Sequence, residues 1–255
     1  MMRSLLIRGM LVGVLAGVLA FAFARMFGEP DVDRAIAFED SMHKAAVPAD
    51  SAAATGASMA MGHQPAGNDE VPLVSRPVQA GIGLLTGVVV YGAAFGGIFA
   101  VVFGFAWGRL GRLSPRAVAA LIAAIGFAAI VVVPQLKYPA NPPSVGHAET
   151  IVFRTQLFMA MLLVSIAAAA IATFIRARFV SVLGGWNATL AAGGIFVVAV
   201  AVVMLLLPAV DEVPNGFPAA LLWQFRIASL GTQGVIWLTL GLVFGALTER
   251  SLARA

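Results

Sequence analysis

The residues of this sequence best able to do chemistry are its three histidines and the methionines and acids near two of them. His43 and His63 share one hydrophilic stretch with Asp40, Met42, Met59, Met61, Asp69 and Glu70. Imidazole suits the later divalent transition metals, carboxylate suits harder ions, and thioether is most at home with Cu(I). The mixture therefore fits a low-affinity collector of a divalent transition metal. No spacing in it matches the paired ligands of a structural zinc site or an HExxH helix. A solvated polar loop with no ligand would have much the same composition.

A second constellation comes from two shorter polar segments. Lys137, Tyr138, Asn141, His147 and Glu149 lie on one, Asp211, Glu212 and Asn215 on the other. If the hairpins carrying them pack side by side, Asp211 and Glu212 face His147 and Glu149 across a pore mouth, where carboxylates concentrate cations. The alternative is that these are ordinary water-facing charges. The candidate metal ligands are thus Asp40, His43, Met59, Met61, His63, His147, Glu149, Asp211 and Glu212.

Several mechanisms are excluded by what the chain lacks. With no cysteine there is no disulfide, thiolate metal site or thiol catalysis. There is no GxxxxGK[ST] loop, and Lys44 and Lys137 are the only lysines, so the chain is not a P-loop motor. No carboxylate or histidine falls within an apolar run to relay protons, and no paired catalytic groups sit at membrane depth, so no enzyme is expected.

These residues must be held by membrane helices. Of 255 residues, 60% are hydrophobic and only 11% charged, against about 25% charged in a soluble domain. Runs long enough for a hydrocarbon core about 30 Å thick occur at Leu5 to Ala24, Ala80 to Trp107, Ala117 to Pro134, Thr155 to Ile175, Ala188 to Leu207 and Leu230 to Leu247. The expected fold is all-α, a single polytopic transmembrane bundle of about six helices over 1–255. Arg3, Arg8, Arg109, Arg112, Arg116, Arg176, Arg178, Arg250 and Arg254 cluster at alternate ends of these runs, which places both termini in the cytoplasm by the positive-inside rule. Of the 12 acids, only Glu249 then falls inside. The segment 26–79 becomes a non-cytoplasmic loop, mobile over its Ala-, Ser- and Gly-rich part from Ala46 to Gly67.

The first run admits two readings. Ala22-Phe23-Ala24 after a basic start resembles a signal-peptidase site. Gly9, Gly13 and Gly17 instead form a small-xxx-small face for close helix packing, which a cleaved signal does not need. Gly92, Gly96, Ala100, Gly104 and Gly108 draw a similar stripe on the second run, and Gly241 and Gly245 on the sixth. The polar residues within or at the edge of the lipid are Gln156, Ser165, Asn187, Thr189, Thr232 and Gln233, with Arg154 and Arg226 at the outer boundary. An echo between the third and fourth runs and the fifth and sixth, each pair joined by a proline-rich segment and returning through an arginine, suggests two like-oriented hairpins. Proline and arginine also simply collect at helix ends.

Three strings carry a specific resemblance: Leu136-Lys137-Tyr138-Pro139-Ala140-Asn141-Pro142-Pro143-Ser144-Val145-Gly146, Trp186-Asn187-Ala188-Thr189-Leu190-Ala191-Ala192-Gly193, and Leu222-Trp223-Gln224-Phe225-Arg226-Ile227-Ala228-Ser229-Leu230-Gly231-Thr232-Gln233, the last followed by Phe244-Gly245-Ala246-Leu247-Thr248-Glu249-Arg250. Together with Phe38-Glu39-Asp40 they closely resemble the CbtA family of bacterial membrane proteins. That resemblance implies a cobalt transporter subunit in the inner membrane, linked to cobalamin synthesis and acting with CbtB, a small single-span protein that carries histidines. Co²⁺, or Ni²⁺, would be substrate rather than a tightly bound cofactor. The family is often described with five spans, one fewer than the apolar runs counted above.

Overall fold

The computed structural model describes residues 2–46, 74–111 and 113–253. The described residues are helical, with no strand among them. Helix α1 (Met2–Phe23) runs through a π-helical turn (Ala24–Gly28) directly into α2 (Glu29–Ala46). Then follow α3 (Arg76–Ala106), α4 (Pro115–Lys137), α5 (Ala148–Leu206) and α6 (Ala219–Leu252). The first part of segment 26–79 is therefore a continuation of the first membrane helix. Asp40 and the backbone of His43 lie on α2, whereas Met59, Met61 and His63 fall outside the described residues.

Two of the π-helical turns have a local cause. Proline lacks a backbone N–H, and its ring clashes with the carbonyl four residues earlier. Pro30 follows the turn at Ala24–Gly28, and Pro134 follows the one at Phe127–Val132. A wider turn at these places relieves the clash and leaves backbone carbonyls to be satisfied from elsewhere. The buried Ser165 hydroxyl on α5 donates to one of them, the Ala129 carbonyl, and so ties α5 to α4.

Among the described residues, five helices are long and apolar enough to cross a membrane. The 59 residues of α5, laid straight at about 1.5 Å each, would span roughly three bilayer cores. The run is instead folded at Gly184, whose φ of 74° and ψ of 164° are not helical. A positive φ of this kind is open to glycine and costly for other residues. Arg176 Nε donates to Thr189 Oγ1 across the fold at 2.8 Å, although the two are 13 positions apart. Leu157 and Met161 from one arm share a buried cluster with Val200 from the other. Five helices thus supply six membrane-length segments. The fourth and fifth apolar runs of the sequence are the two arms of α5, and a count of five and a count of six describe the same chain.

The main core is built by α1, α3, α4 and α6. Val12, Ala16 and Ala20 meet Phe99, Phe103, Val118, Ala119, Ile236, Leu240 and Phe244 in one buried cluster. Helices α1 and α3 approach most closely, antiparallel, because Gly9 lies on Gly96, Gly13 on Gly92 and Gly17 on Val89. The glycine faces read from sequence are therefore used, and against each other. Gly241 and Gly245 seat α6 on Ala123, Ala119 and Arg116 of α4.

That small-residue contact overrides the expected pairing of the fifth and sixth runs. Among the described residues α6 packs on α1 and α4, while the arms of α5 attach through α4. Among the described membrane-length helices, α5 is accordingly the least buried inside the protein.

Candidate functional site

One end of the bundle gathers the acids. It comprises α2, the turn from Tyr138 to Thr150 and the loop between α5 and α6, held by a small core of Ala35, Val145, Phe217 and Leu221. Phe38 of α2 meets Phe217 edge to face at 5.1 Å. Ser144, with φ of 65°, donates its hydroxyl to the Ala35 carbonyl at 3.4 Å. The opposite end carries Arg116 paired with Glu249, and Arg176 and Arg178 before the fold in α5.

The central element of the acidic end is Glu212. Its Oε2 accepts from the His147 backbone N–H and from the Thr150 hydroxyl, both at 2.8 Å, and lies 3.4 Å from Arg154 Nε. His147 and Glu212 are thus brought together, through the histidine backbone rather than its ring. Nearby, Tyr138 donates its hydroxyl to the Pro208 carbonyl at 2.8 Å. Arg226 donates to Asn141 Oδ1 at 3.0 Å and to the Ala140 carbonyl at 3.4 Å, and Asp211 is the acid acting on it. The two loops are therefore latched to each other at two points, and the turn is tied to α6 at a third.

A second set of charges fixes the entry of α3. Arg76 reaches Glu29 at 2.5 Å and Asp33 at 2.9 Å, while the buried Asp31 pairs with Arg34. Arg76 is a partner that the sequence did not single out, and Arg154, expected at the outer boundary, serves as a partner of Glu212. The available signal was an arginine at the head of an apolar helix, which must find a counter-charge when partly buried. Glu149 lies in the short 3-10 turn Ala148–Thr150 that leads into α5. Asp40 and His43 stand three positions apart on α2, about one helical turn. Among the described residues, no three His, Asp or Glu side chains are grouped so as to hold a metal ion.

The latch depends on pH in a definite sense. The donated His147 N–H and Thr150 hydroxyl, and then the Arg154 charge, hold the Glu212 carboxyl below its ordinary value of 4.5. A depressed value stabilises the fold above the unfolded-state value, and the contribution fades as pH falls through the folded one. The difference in melting temperature between wild type and Glu212→Gln should therefore be constant from neutral pH to about 4.5 and close below it. A gap that widened in acid would contradict this assignment.

Over residues 2–249, nearly its whole length, the chain matches the family described as "Probable cobalt transporter subunit (CbtA)". The chain belongs to the CbtA family. Neither a curated protein nor a solved structure matches it. CbtA membership makes this a cobalt transporter subunit, and its long apolar helices make it a multi-pass membrane protein. Within this CbtA chain the string from Leu136 to Gly146 forms part of the acidic end, and Arg226 of the string on α6 reaches it through Asn141.

Proposed function

We propose that this CbtA-family protein takes up Co²⁺, or a related divalent ion, across the bacterial inner membrane, its acidic end facing outward. In this reading Asp40, His43, Met59, Met61 and His63 gather the ion, and His147, Glu149, Asp211 and Glu212 flank the mouth. A small CbtB-like membrane protein bearing histidines completes the unit, and the imported metal serves cobalamin synthesis. The observation that carries the reading is the segregation of acids to one end of a bundle whose family is that of a cobalt transporter subunit. Uptake of labelled cobalt by a deletion strain, with and without this gene and its partner restored, is the test. Restoration should raise accumulation, and equal accumulation would refute the proposal.

A second reading is favoured by the lack of a three-ligand grouping among the described residues. In it the chain is a non-conducting scaffold that presents metal to a path formed elsewhere in the complex. Binding of Co²⁺ without flux, in proteoliposomes holding this chain and its partner, would select it.

A further inference from the structure

Helices α3 and α6 face each other along a seam that changes character halfway. Toward the basic end it is filled by aromatic rings. Phe95 meets Trp237 at 6.0 Å, Phe99 and Phe103 meet Phe244 at 5.4 and 5.2 Å, and Phe103 stacks on Trp107 at 5.8 Å. Toward the acidic end the two helices stand apart, and a cavity of about 340 Å³ lies between them. At about 30 Å³ per water, that is room for a small cation with its hydration shell.

The lining of this cavity is unusual for its depth. Gly83 and Gly87 contribute backbone from α3, and a Cβ at Gly87 would meet nothing within 4 Å. Leu84, Val88 and Ile236 line it with apolar side chains, among which Tyr91, Thr232 and Gln233 contribute polar groups. The Gln233 side chain lines the cavity beside the Tyr91 hydroxyl, and its Oε1 is buried with no partner. The Thr232 hydroxyl donates to the Ala228 carbonyl at 2.8 Å, which leaves its lone pairs free to accept. One turn below Gln233, Trp237 is 6% exposed, and its Nε1 is likewise buried without a partner. An unsatisfied polar atom buried in this way is costly. Polar groups at membrane depth mark water-filled cavities or substrate paths far more than lipid contacts.

We propose that the seam between α3 and α6 is the permeation path. Its outer half is a wetted vestibule in which Gln233 Oε1, the Tyr91 hydroxyl and the Thr232 hydroxyl hold a partly hydrated divalent cation. The aromatic column beginning at Phe95 and Trp237 is the closed gate beneath it. Neutral oxygens suit a hydrated divalent ion in transit, because they replace part of its shell without the trapping charge of a carboxylate. A column of rings closes the path by excluding water, and its faces favour a cation once it opens. This inference rests on the transport reading above and names the route within it.

The chain has no cysteine, so single cysteines report water access directly. In nanodiscs, which leave both faces open, Thr232→Cys should react with a charged methanethiosulfonate. Val90→Cys, beside Tyr91 but on a residue 64% exposed at the lipid-facing surface, should not. Adding Gly87→Leu, whose side chain enters open space, should abolish the reaction at position 232 while the protein stays folded. Equal reactivity at 90 and 232, or no effect of Gly87→Leu, overturns the vestibule. In cells with the partner present, Gln233→Leu should cut labelled cobalt uptake at least tenfold at unchanged protein level. Unchanged uptake overturns the route. A wild type that takes up no cobalt refutes the transport reading instead, and the labelling still decides whether the vestibule exists.

Discussion

Gly96→Ala is expected to deplete folded protein from the membrane, whereas Gly97→Ala, one residue further along the same helix, is expected to be neutral or mildly stabilising. On propensity alone the two substitutions are equivalent, since alanine is favoured over glycine in a helix by about 1 kcal/mol. They differ in what the new methyl meets. At Gly96 it overlaps the Gly9 carbonyl oxygen and comes within 3.0 Å of Gly13 Cα, both backbone atoms that cannot rotate away. At Gly97 its nearest neighbour is Met10 Cγ at 3.5 Å, an ordinary contact with a flexible side chain. Overpacking a core costs about 1–3 kcal/mol when side chains can shift, and here the whole α1–α3 interface must separate. Because Gly13 lies on Gly92 in the same way, Gly13→Ala should repeat the loss. Thermal melting of the detergent-solubilised variants and their recovery as a single species on size exclusion are the measurements. Equal behaviour of Gly96→Ala and Gly97→Ala would mean that the close α1–α3 contact is not what holds the bundle.

The second large effect is expected at Gly146→Ala, which should unlatch the acidic end without touching the membrane core. Gly146 has φ of 108°, and a Cβ there would overlap the Arg154 guanidinium. Backbone strain of this sort costs about 1–3 kcal/mol. The displaced Arg154 would also leave its 3.4 Å approach to Glu212 and its 3.1 Å bond to the His147 carbonyl. The expected outcome is loss of hydrogen-exchange protection in residues 138–150 and 207–218, with protection in α1 and α3 unchanged. Cobalt uptake should fall in parallel if the two loops form the mouth. Arg154→Lys keeps the charge but gives up the planar fork, so it should produce an intermediate loosening. Protection retained in both loops of Gly146→Ala would show that the latch does not depend on Arg154.

Much of the architecture is readable from residue order for a simple reason. A bilayer imposes helices of one minimum length and leaves the charges at their ends, and six apolar runs bounded by arginines and acids obey that constraint. The glycine faces at Gly9, Gly13 and Gly17 and at Gly92 and Gly96 were equally legible, because small residues at four-residue spacing have one purpose in lipid. Composition did not reveal which face meets which. Nor did it show that α2 continues α1, since the acids from Glu29 onward read as a polar loop, yet the helix runs on through a π-helical turn.

The candidate ligands divide along the same line. That His147 and Glu212 belong to one end of the molecule follows from hydropathy and charge, but that Glu212 binds the backbone of His147, with Thr150 and Arg154 around it, depends on residues 58 to 65 positions apart. Tyr91 and Gln233 show the same limit more strongly. Each is an isolated polar residue in an apolar run, and only the crossing of α3 and α6 places them together above Trp237.

The collection of histidines, methionines and acids with which the sequence draws attention to metal is thus fixed by composition, as are the number of membrane segments and the segregation of acid from base, because solvation by lipid or water acts on each residue through its local run. The pairing of helices, the fold at Gly184, the latch on Glu212 and the cavity beside Gln233 were decided by tertiary structure. Each depends on the shape and hydrogen-bonding capacity of a surface that exists only once distant helices touch.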